Sequence, residues 1–99
     1  MRVISERTLR AFWERHPAAE KPLQAWLAEV RRADWATPAQ VKTRFPNASI
    51  IRDNRVVFDI GGTRFRLVVW INYAHQAVYA KWFGTHAEYD RIDVERVEL

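Results

Sequence analysis

Apolar residues in the first third of the chain recur at helical spacing. The stretch Leu9–His16 carries one apolar stripe after Ser5, which can cap a helix, and Pro17 ends the pattern. Over Glu20–Ala33 the apolar positions fall at i, i+3, i+4 and i+7, so one face of a second helix is available to a core. The pattern therefore predicts two amphipathic helices at the start of the chain.

A short third helix and a set of strands are predicted next. Thr37-Pro38 is typical of a helix cap followed by proline in the first turn, and this helix should run through Val41 and end before Phe45-Pro46. Beyond it the chain becomes rich in Val, Ile, Phe, Tyr and Trp, which favours strands. The predicted strands are Ile50-Ile51, Arg55–Ile60, Thr63–Tyr73 and Ala77–Phe83.

Alternation within the predicted strand Thr63–Tyr73 assigns its two faces. One face is uniformly apolar and should pack under the helices, while the other leaves Arg64 and Arg66 pointing outward together. Gly61-Gly62 predicts a two-residue hairpin turn before this strand, because both positions tolerate positive φ. The acidic tail Asp90–Leu99 predicts only loose or edge pairing.

These elements predict an α+β fold, in which two N-terminal helices and a short third helix pack on a four- to five-stranded, mainly antiparallel sheet. We expect one domain over residues 1–99. Hydrophobic residues make up 48% of the chain, enough for a packed core, and no cysteine is present to form a disulfide or a thiolate metal site. No apolar run approaches the ~20 residues of a membrane span, and no signal-peptide pattern opens the chain, so we expect a cytoplasmic protein without membrane contact.

Positive charge is concentrated on the predicted sheet. The net charge is +4, but residues 35–83 hold seven basic and two acidic side chains, whereas residues 84–99 hold two basic and five acidic ones. A polyanion is the natural partner for a basic sheet, and ordinary solubilising charge is the alternative explanation.

The segment Gly84–Asp90 carries the strongest sign of chemistry. Thr85 and Glu88 have the spacing of a capping box, which predicts a new helical turn after the last strand. That turn places His86 and Tyr89 on one face. An imidazole changes charge near neutral pH and a phenol can donate a hydrogen bond, so the pair predicts an acid/base site.

Cations on the predicted sheet can stabilise negative charge near this segment. Arg66 offers a planar fork of hydrogen-bond donors that suits a phosphate, and Arg64 can hold a neighbouring phosphate. The alternative is that these arginines form a solvated cross-strand pair, with Asp59 as a partner. Lys81 interrupts an apolar strand, so it needs a partner such as a phosphate or serves as an edge charge against aggregation. Lys42 on the third helix is a further candidate for the same surface. The three histidines lack a metal-ligand spacing, and no metal or cofactor is expected.

The order of these residues resembles the HigB family of type II toxin–antitoxin mRNA interferases, within the RelE-like superfamily. Its most specific part is the Gly61-Gly62 hairpin with Arg66 on the following strand, and then the run Gly84–Asp90. The resemblance spans nearly the whole chain and also rests on Met1–Ser5, Leu9, Phe12-Trp13, Leu23–Val30, Val41-Lys42, Phe45-Pro46, Val57–Gly62, Arg64–Leu67 and Ile92-Asp93.

The resemblance implies an RNA endonuclease that needs no metal and cuts mRNA, commonly during translation on the ribosome. The 2′-hydroxyl of the RNA is then the nucleophile. His86 serves as general base or acid, and Tyr89 orients the scissile phosphate or assists proton transfer. Arg66 and Lys81 stabilise the pentavalent phosphorane. Messenger RNA or ribosomal RNA is held by Arg64 and Lys42.

The resemblance also implies a protein partner, an antitoxin of the HigA type with a helix-turn-helix domain. It should be acidic where it meets the basic face, and operator DNA should be bound only by the complex. The residues leave two alternatives open: a nucleic-acid-binding module without catalysis, or an inactive relative that binds an antitoxin-like regulator. His86 favours catalysis, since a pure binder needs cations and aromatic rings but no titrating group.

Overall fold

The computed structural model describes all 99 residues. Its helices pack on one face of a five-stranded sheet. The strands, numbered in chain order, lie side by side as β1-β5-β4-β3-β2, with β1 parallel to β5 and every other neighbouring pair antiparallel. This confirms the predicted α+β architecture. The elements are β1 (Arg2–Ile4), α1 (Glu6–Arg15), a 3₁₀ turn (Pro17–Ala19), α2 (Glu20–Arg32), α3 (Pro38–Arg44), β2 (Ser49–Ile50), β3 (Arg55–Ile60), β4 (Phe65–Asn72), β5 (Ala77–Thr85) and α4 (His86–Tyr89).

The core lies between the helices and one face of the sheet, here called the core face. The apolar stripes of α1 and α2 are buried there, as predicted from their spacing. Phe12 of α1 stacks on Phe83 of β5, with ring centroids 5.1 Å apart, and Trp26 of α2 meets Phe58 of β3 edge-on at 5.4 Å. The β4 side chains on this face are Phe65, Leu67, Val69 and Ile71.

The turn between β3 and β4 is longer than the sequence predicted. Ile60 pairs with Phe65, so four residues, Gly61–Arg64, form the turn, and both glycines have positive φ (65° and 68°). The predicted two-residue hairpin and the predicted strand start at Thr63 are therefore wrong. Arg64 lies in the turn rather than on the strand, and the expectation that it shares a strand face with Arg66 is also wrong.

The N-terminal strand β1 was not predicted from the sequence. Its three residues pair in parallel with Ala77–Tyr79 of β5. Ser5 then turns the chain into α1 with a φ of 74°, and its side chain makes no capping hydrogen bond. A three-residue strand has too few positions to show an alternating pattern, and its parallel partner lies more than 70 residues away in the chain.

A β-bulge interrupts the pairing of β4 with β5. Val68 pairs with Trp82 and Val69 with Ala80, so Lys81 is the extra residue. Strict alternation would place Lys81 on the core face with Phe83. The bulge instead leaves Lys81 on the opposite face, called here the outer face, where its Nζ lies 3.0 Å from Glu98 Oε2.

The C-terminal tail lies on the outer face and contains no strand, contrary to the predicted edge pairing. Arg55 of β3 donates hydrogen bonds to the carbonyl oxygens of Val94 and Val97, at 3.2 and 2.6 Å. Val57 and Val68, which form a cross-strand pair on the same face, are 2% and 0% exposed. The outer face is thus partly covered by its own chain. No helix of the fold is both long and apolar enough to cross a membrane.

Candidate functional site

The short helix α4 is held at the end of β5 by a complete capping box, as the sequence predicted. The backbone N–H of Thr85 donates to Glu88 Oε1 at 2.8 Å, and the N–H of Glu88 donates to Thr85 Oγ1 at 3.2 Å. The first of these bonds is the largest cause that holds the pKa of Glu88 below its usual value. The N–H of His86 donates to the carbonyl of Arg64 at 3.0 Å, which fastens α4 to the β3–β4 turn.

Gly84 allows a tryptophan to lie across the strand just before α4. A Cβ at this position would stand 2.5 Å from Trp82 Cη2 and 2.8 Å from Glu88 Oε1. Any larger residue must therefore displace the indole or the capping carboxylate. The Trp82 ring in turn packs on the Tyr89 ring, with centroids 6.2 Å apart. Gly84 thus permits the packing that positions Tyr89.

Arg66 is fixed beside Asp59 on the outer face. The two residues are cross-strand partners, and Arg66 Nε lies 3.2 Å from Asp59 Oδ1. Arg66 Nη1 donates to the carbonyls of Thr63 and Phe65, at 3.0 and 3.1 Å. The side chain is only 13% exposed, and Nη2 has no hydrogen-bond partner within the chain. An oriented guanidinium with two free N–H groups is suited to bind an anion.

Tyr89 is half-buried next to this ion pair. Desolvation by burial is the largest cause that raises the pKa of its phenol above the usual value, and the nearby charges of Asp90 and Asp59 add to it. The positive charge of Arg66 acts in the opposite direction. A phenol with a raised pKa keeps its proton at neutral pH, so Tyr89 is available as a hydrogen-bond donor or acid rather than as a base.

His86 is the exposed member of the group. Its side chain is 56% exposed, and Nε2 lies 3.6 Å from Asp90 Oδ1, one helical turn further along. Residues three apart on a helix have Cβ atoms about 5–6 Å apart, so His86 and Tyr89 stand side by side. The imidazole of His86, the phenol of Tyr89 and the guanidinium of Arg66 therefore lie at the same end of the sheet.

Two of the predicted site residues lie apart from this group. Lys81 pairs with Glu98 on the outer face and forms no hydrogen bond or ion pair with Arg66, His86 or Tyr89. Lys42 of α3 donates to the carbonyl of Ala48 at 2.6 Å, beside β2. Helix α3 packs against the edge strand β2, so Lys42 does not join the group around α4, and its contact with RNA stays a prediction. No group of three or more His, Asp or Glu side chains is placed to hold a metal ion.

Three residues that organise the outer face have only weak signals in the sequence. Asp59 was considered only as a salt-bridge partner, Gly84 only as a member of the motif, and Arg55 not at all. Arg55 is the sole charged residue that is buried, at 7% exposed. An arginine at the start of a predicted strand was the available sign, but its partners are contributed by the distant tail.

Comparisons with known proteins identify the family of this chain. Residues 19–92 match the family model of HigB_toxin, described as the RelE-like toxic component of a toxin–antitoxin system. The chain is 28% identical over 94 residues to the mRNA interferase HigB of Escherichia coli O6:H1, covering 93% of this chain and 91% of that protein. It is 27% identical over 92 residues to the mRNA interferase toxin HigB of Escherichia coli K12, covering 91% and 88%. The chain therefore belongs to the HigB family of RelE-like toxins, the toxic components of toxin–antitoxin systems.

Proposed function

We propose that this toxin is a metal-independent mRNA endoribonuclease, in which the 2′-hydroxyl of the RNA attacks the adjacent phosphate. The observation that carries the proposal is the grouping of His86, Tyr89 and Arg66 at one end of the sheet. This set supplies proton transfer and charge stabilisation but no protein nucleophile. RNA supplies its own nucleophile, so it needs only proton transfer and charge stabilisation from the protein.

His86 and Tyr89 divide the two proton-transfer roles between them. His86 takes the proton of the 2′-hydroxyl as the bond from that oxygen to phosphorus forms. Tyr89 gives its proton to the 5′-oxygen as the bond from phosphorus to that oxygen breaks, and solvent later restores the proton. The products are a 2′,3′-cyclic phosphate and a free 5′-hydroxyl.

Arg66 stabilises the charge that develops on the phosphate. Asp59 and two backbone carbonyls fix its guanidinium, so the free Nη2 is oriented before the substrate arrives. Arg64, exposed in the adjacent turn, holds a neighbouring phosphate. Lys81 pairs with Glu98, and Lys42 donates to the carbonyl of Ala48, so we assign both lysines to binding the RNA backbone.

The remaining parts of the proposal concern where the toxin acts and what restrains it. Its substrate is mRNA that is being translated on the ribosome in the cytoplasm, and cleavage inhibits translation and growth. The family implies an antitoxin partner, which we propose to be a helix-turn-helix protein of the HigA type with an acidic surface toward the basic sheet. Operator DNA is bound only through that complex.

The test compares inducible expression of the wild type, His86→Ala and His75→Ala in bacteria. His75 lies in the exposed turn before β5 and serves as the matched control. We expect growth arrest and new 5′ ends on a translated mRNA, mapped by primer extension, for the wild type and His75→Ala but not for His86→Ala. Soluble, folded wild-type protein that produces neither arrest nor new ends would refute the nuclease proposal and leave a non-catalytic binding module.

A further inference from the structure

One carboxylate bridges two cations on the outer face, away from α4. Glu98 Oε1 lies 2.7 Å from Arg55 Nη2, and Glu98 Oε2 lies 3.0 Å from Lys81 Nζ. Arg55 and Lys81 come from different strands, β3 and β5, and the bulge in β5 is what brings Lys81 to this face. Two cations that converge on one pair of oxygens form an anion site, and Glu98 fills it.

The anion site has an aromatic wall and open space beside it. Trp70 pairs with Arg55 across the strands and remains partly exposed, and its ring packs on that of Tyr79 with centroids 5.4 Å apart and planes tilted by 50°. A cavity of about 410 Å³ adjoins it, lined by Asp53, Arg55, Trp70, Lys81, Glu95 and Glu98. An exposed indole next to paired cations is the combination with which proteins bind single-stranded nucleic acid, by base stacking and phosphate contact.

We propose that Arg55, Lys81 and Trp70 form a second nucleotide subsite for the RNA substrate, whose phosphate position Glu98 occupies in the free toxin. This inference rests on the proposed function, which supplies RNA as the ligand. Arg66 and Trp70 are four residues apart on β4, or about 13 Å at ~3.3 Å per residue, so a short run of nucleotides joins the two sites. The chain then holds RNA at two positions along the outer face.

The charge distribution explains why the tail and RNA compete. The tail brings its acidic side chains onto the most basic part of the chain, with Glu95 3.7 Å from Arg52 in addition to the contacts of Glu98. A phosphate that bridges Arg55 and Lys81 must replace the Glu98 carboxylate, because both anions need the space between the same two cations. The acidic tail therefore lowers the RNA affinity of the free toxin.

Truncating the tail would remove the carbonyl contacts of Arg55 together with the charge of Glu98, and so confuse the test. Glu98→Gln is the cleaner variant, since it removes the charge while the carbonyl contacts of Arg55 keep the tail in place. Asp93→Asn is the matched control. It makes the same change of charge in the same tail, but Asp93 pairs with Arg96 of the tail itself and not with the sheet.

The experiment measures binding of a short single-stranded oligouridine whose 2′-hydroxyls are methylated, so that it cannot be cleaved, at fixed salt. We expect Glu98→Gln to lower Kd about two- to fivefold, the size of effect that partly exposed ion pairs have, and Asp93→Asn to leave Kd unchanged. Adding Lys81→Ala to Glu98→Gln should abolish the gain and reduce the salt dependence of log Kd by about 0.7. Trp70→Ala should weaken binding about fivefold or more, and Trp70→Phe less, because a smaller ring still stacks.

Two outcomes would overturn the subsite. One is equal affinity of Glu98→Gln and Asp93→Asn, and the other is a gain from Glu98→Gln that survives Lys81→Ala. Cleavage of an unmodified RNA, measured in parallel, separates this inference from the proposed function. Cleavage with no effect of Glu98 on binding refutes the subsite alone. An effect of Glu98 on binding without any cleavage supports the subsite and refutes the nuclease activity.

Discussion

Removal of the Thr85 hydroxyl tests whether α4 must be ordered for the toxin to act. In Thr85→Ala the N–H of Glu88 loses its acceptor, while the reciprocal bond from the backbone N–H of residue 85 to Glu88 remains. Loss of an N-cap side chain costs about 1 kcal/mol, within a range of about 0.5–2. Because α4 has four residues, none of them buried, few contacts besides the capping box oppose its fraying: the His86–Arg64 hydrogen bond and the packing of Tyr89 on Trp82.

The expected magnitude follows from this cost. About 1 kcal/mol changes the ratio of ordered to frayed α4 about fivefold, so the single-turnover cleavage rate should fall about two- to fivefold. Stability toward denaturant should change little, because a terminal turn opens locally without unfolding the core. Hydrogen exchange at the amides of residues 88–90 should become faster, and Thr85→Ser should restore both readouts.

Thr37→Ala is the matched control for this experiment. Thr37 caps α3 by the same chemistry, accepting from the N–H of Gln40 at 3.4 Å, but α3 lies at the other edge of the sheet. Its loss should leave the cleavage rate unchanged. If Thr85→Ala frays α4 by hydrogen exchange and still cleaves at the wild-type rate, then the position of His86 and Tyr89 on an ordered turn is irrelevant to the reaction.

Three further changes test the site. Tyr89→Phe keeps the ring on Trp82, so it should leave the melting temperature nearly unchanged. Cleavage should fall about 100-fold or more, the usual contribution of a general acid. Equal cleavage rates for the variant and the wild type would remove Tyr89 from the mechanism. The raised pKa of Tyr89 means that folding favours the neutral phenol. This contribution to the free energy of unfolding is complete below pH 10 and declines as the pH rises through the unfolded and then the folded pKa. In urea titrations, Tyr89→Phe should therefore lose less stability at alkaline pH than the wild type. Gly84→Ala should lower stability by about 1–3 kcal/mol and reduce cleavage, because its Cβ meets Trp82; a variant with wild-type stability would contradict the packing argument. Arg66→Lys should bind RNA but cleave poorly, since an ammonium cannot pair with Asp59 and also present a second pair of donors; wild-type turnover would show that charge alone suffices.

The local patterns of the sequence determined much of this protein. Helical spacing fixed the buried stripes of α1 and α2, alternation fixed the core face of β4, and Thr85 with Glu88 specified the turn that carries His86 and Tyr89. Each of these features depends on residues a few positions apart, so side-chain type and spacing suffice to predict it. Family resemblance added the function, and the family match agrees with it.

Only the tertiary structure decided which cations work together. Arg64 lies outside the strand because Ile60 pairs with Phe65. Lys81 lies on the outer face because it is an extra residue between Trp82 and Ala80, whose partners in β4 are adjacent. The role of Arg55 depends on Val94, Val97 and Glu98, about forty residues further along the chain. Register, bulges and tail docking arise from contacts between distant segments, whose free energies no local pattern records. The sequence therefore determined the acid/base turn and the core, while the folded sheet determined where the positive charge is placed.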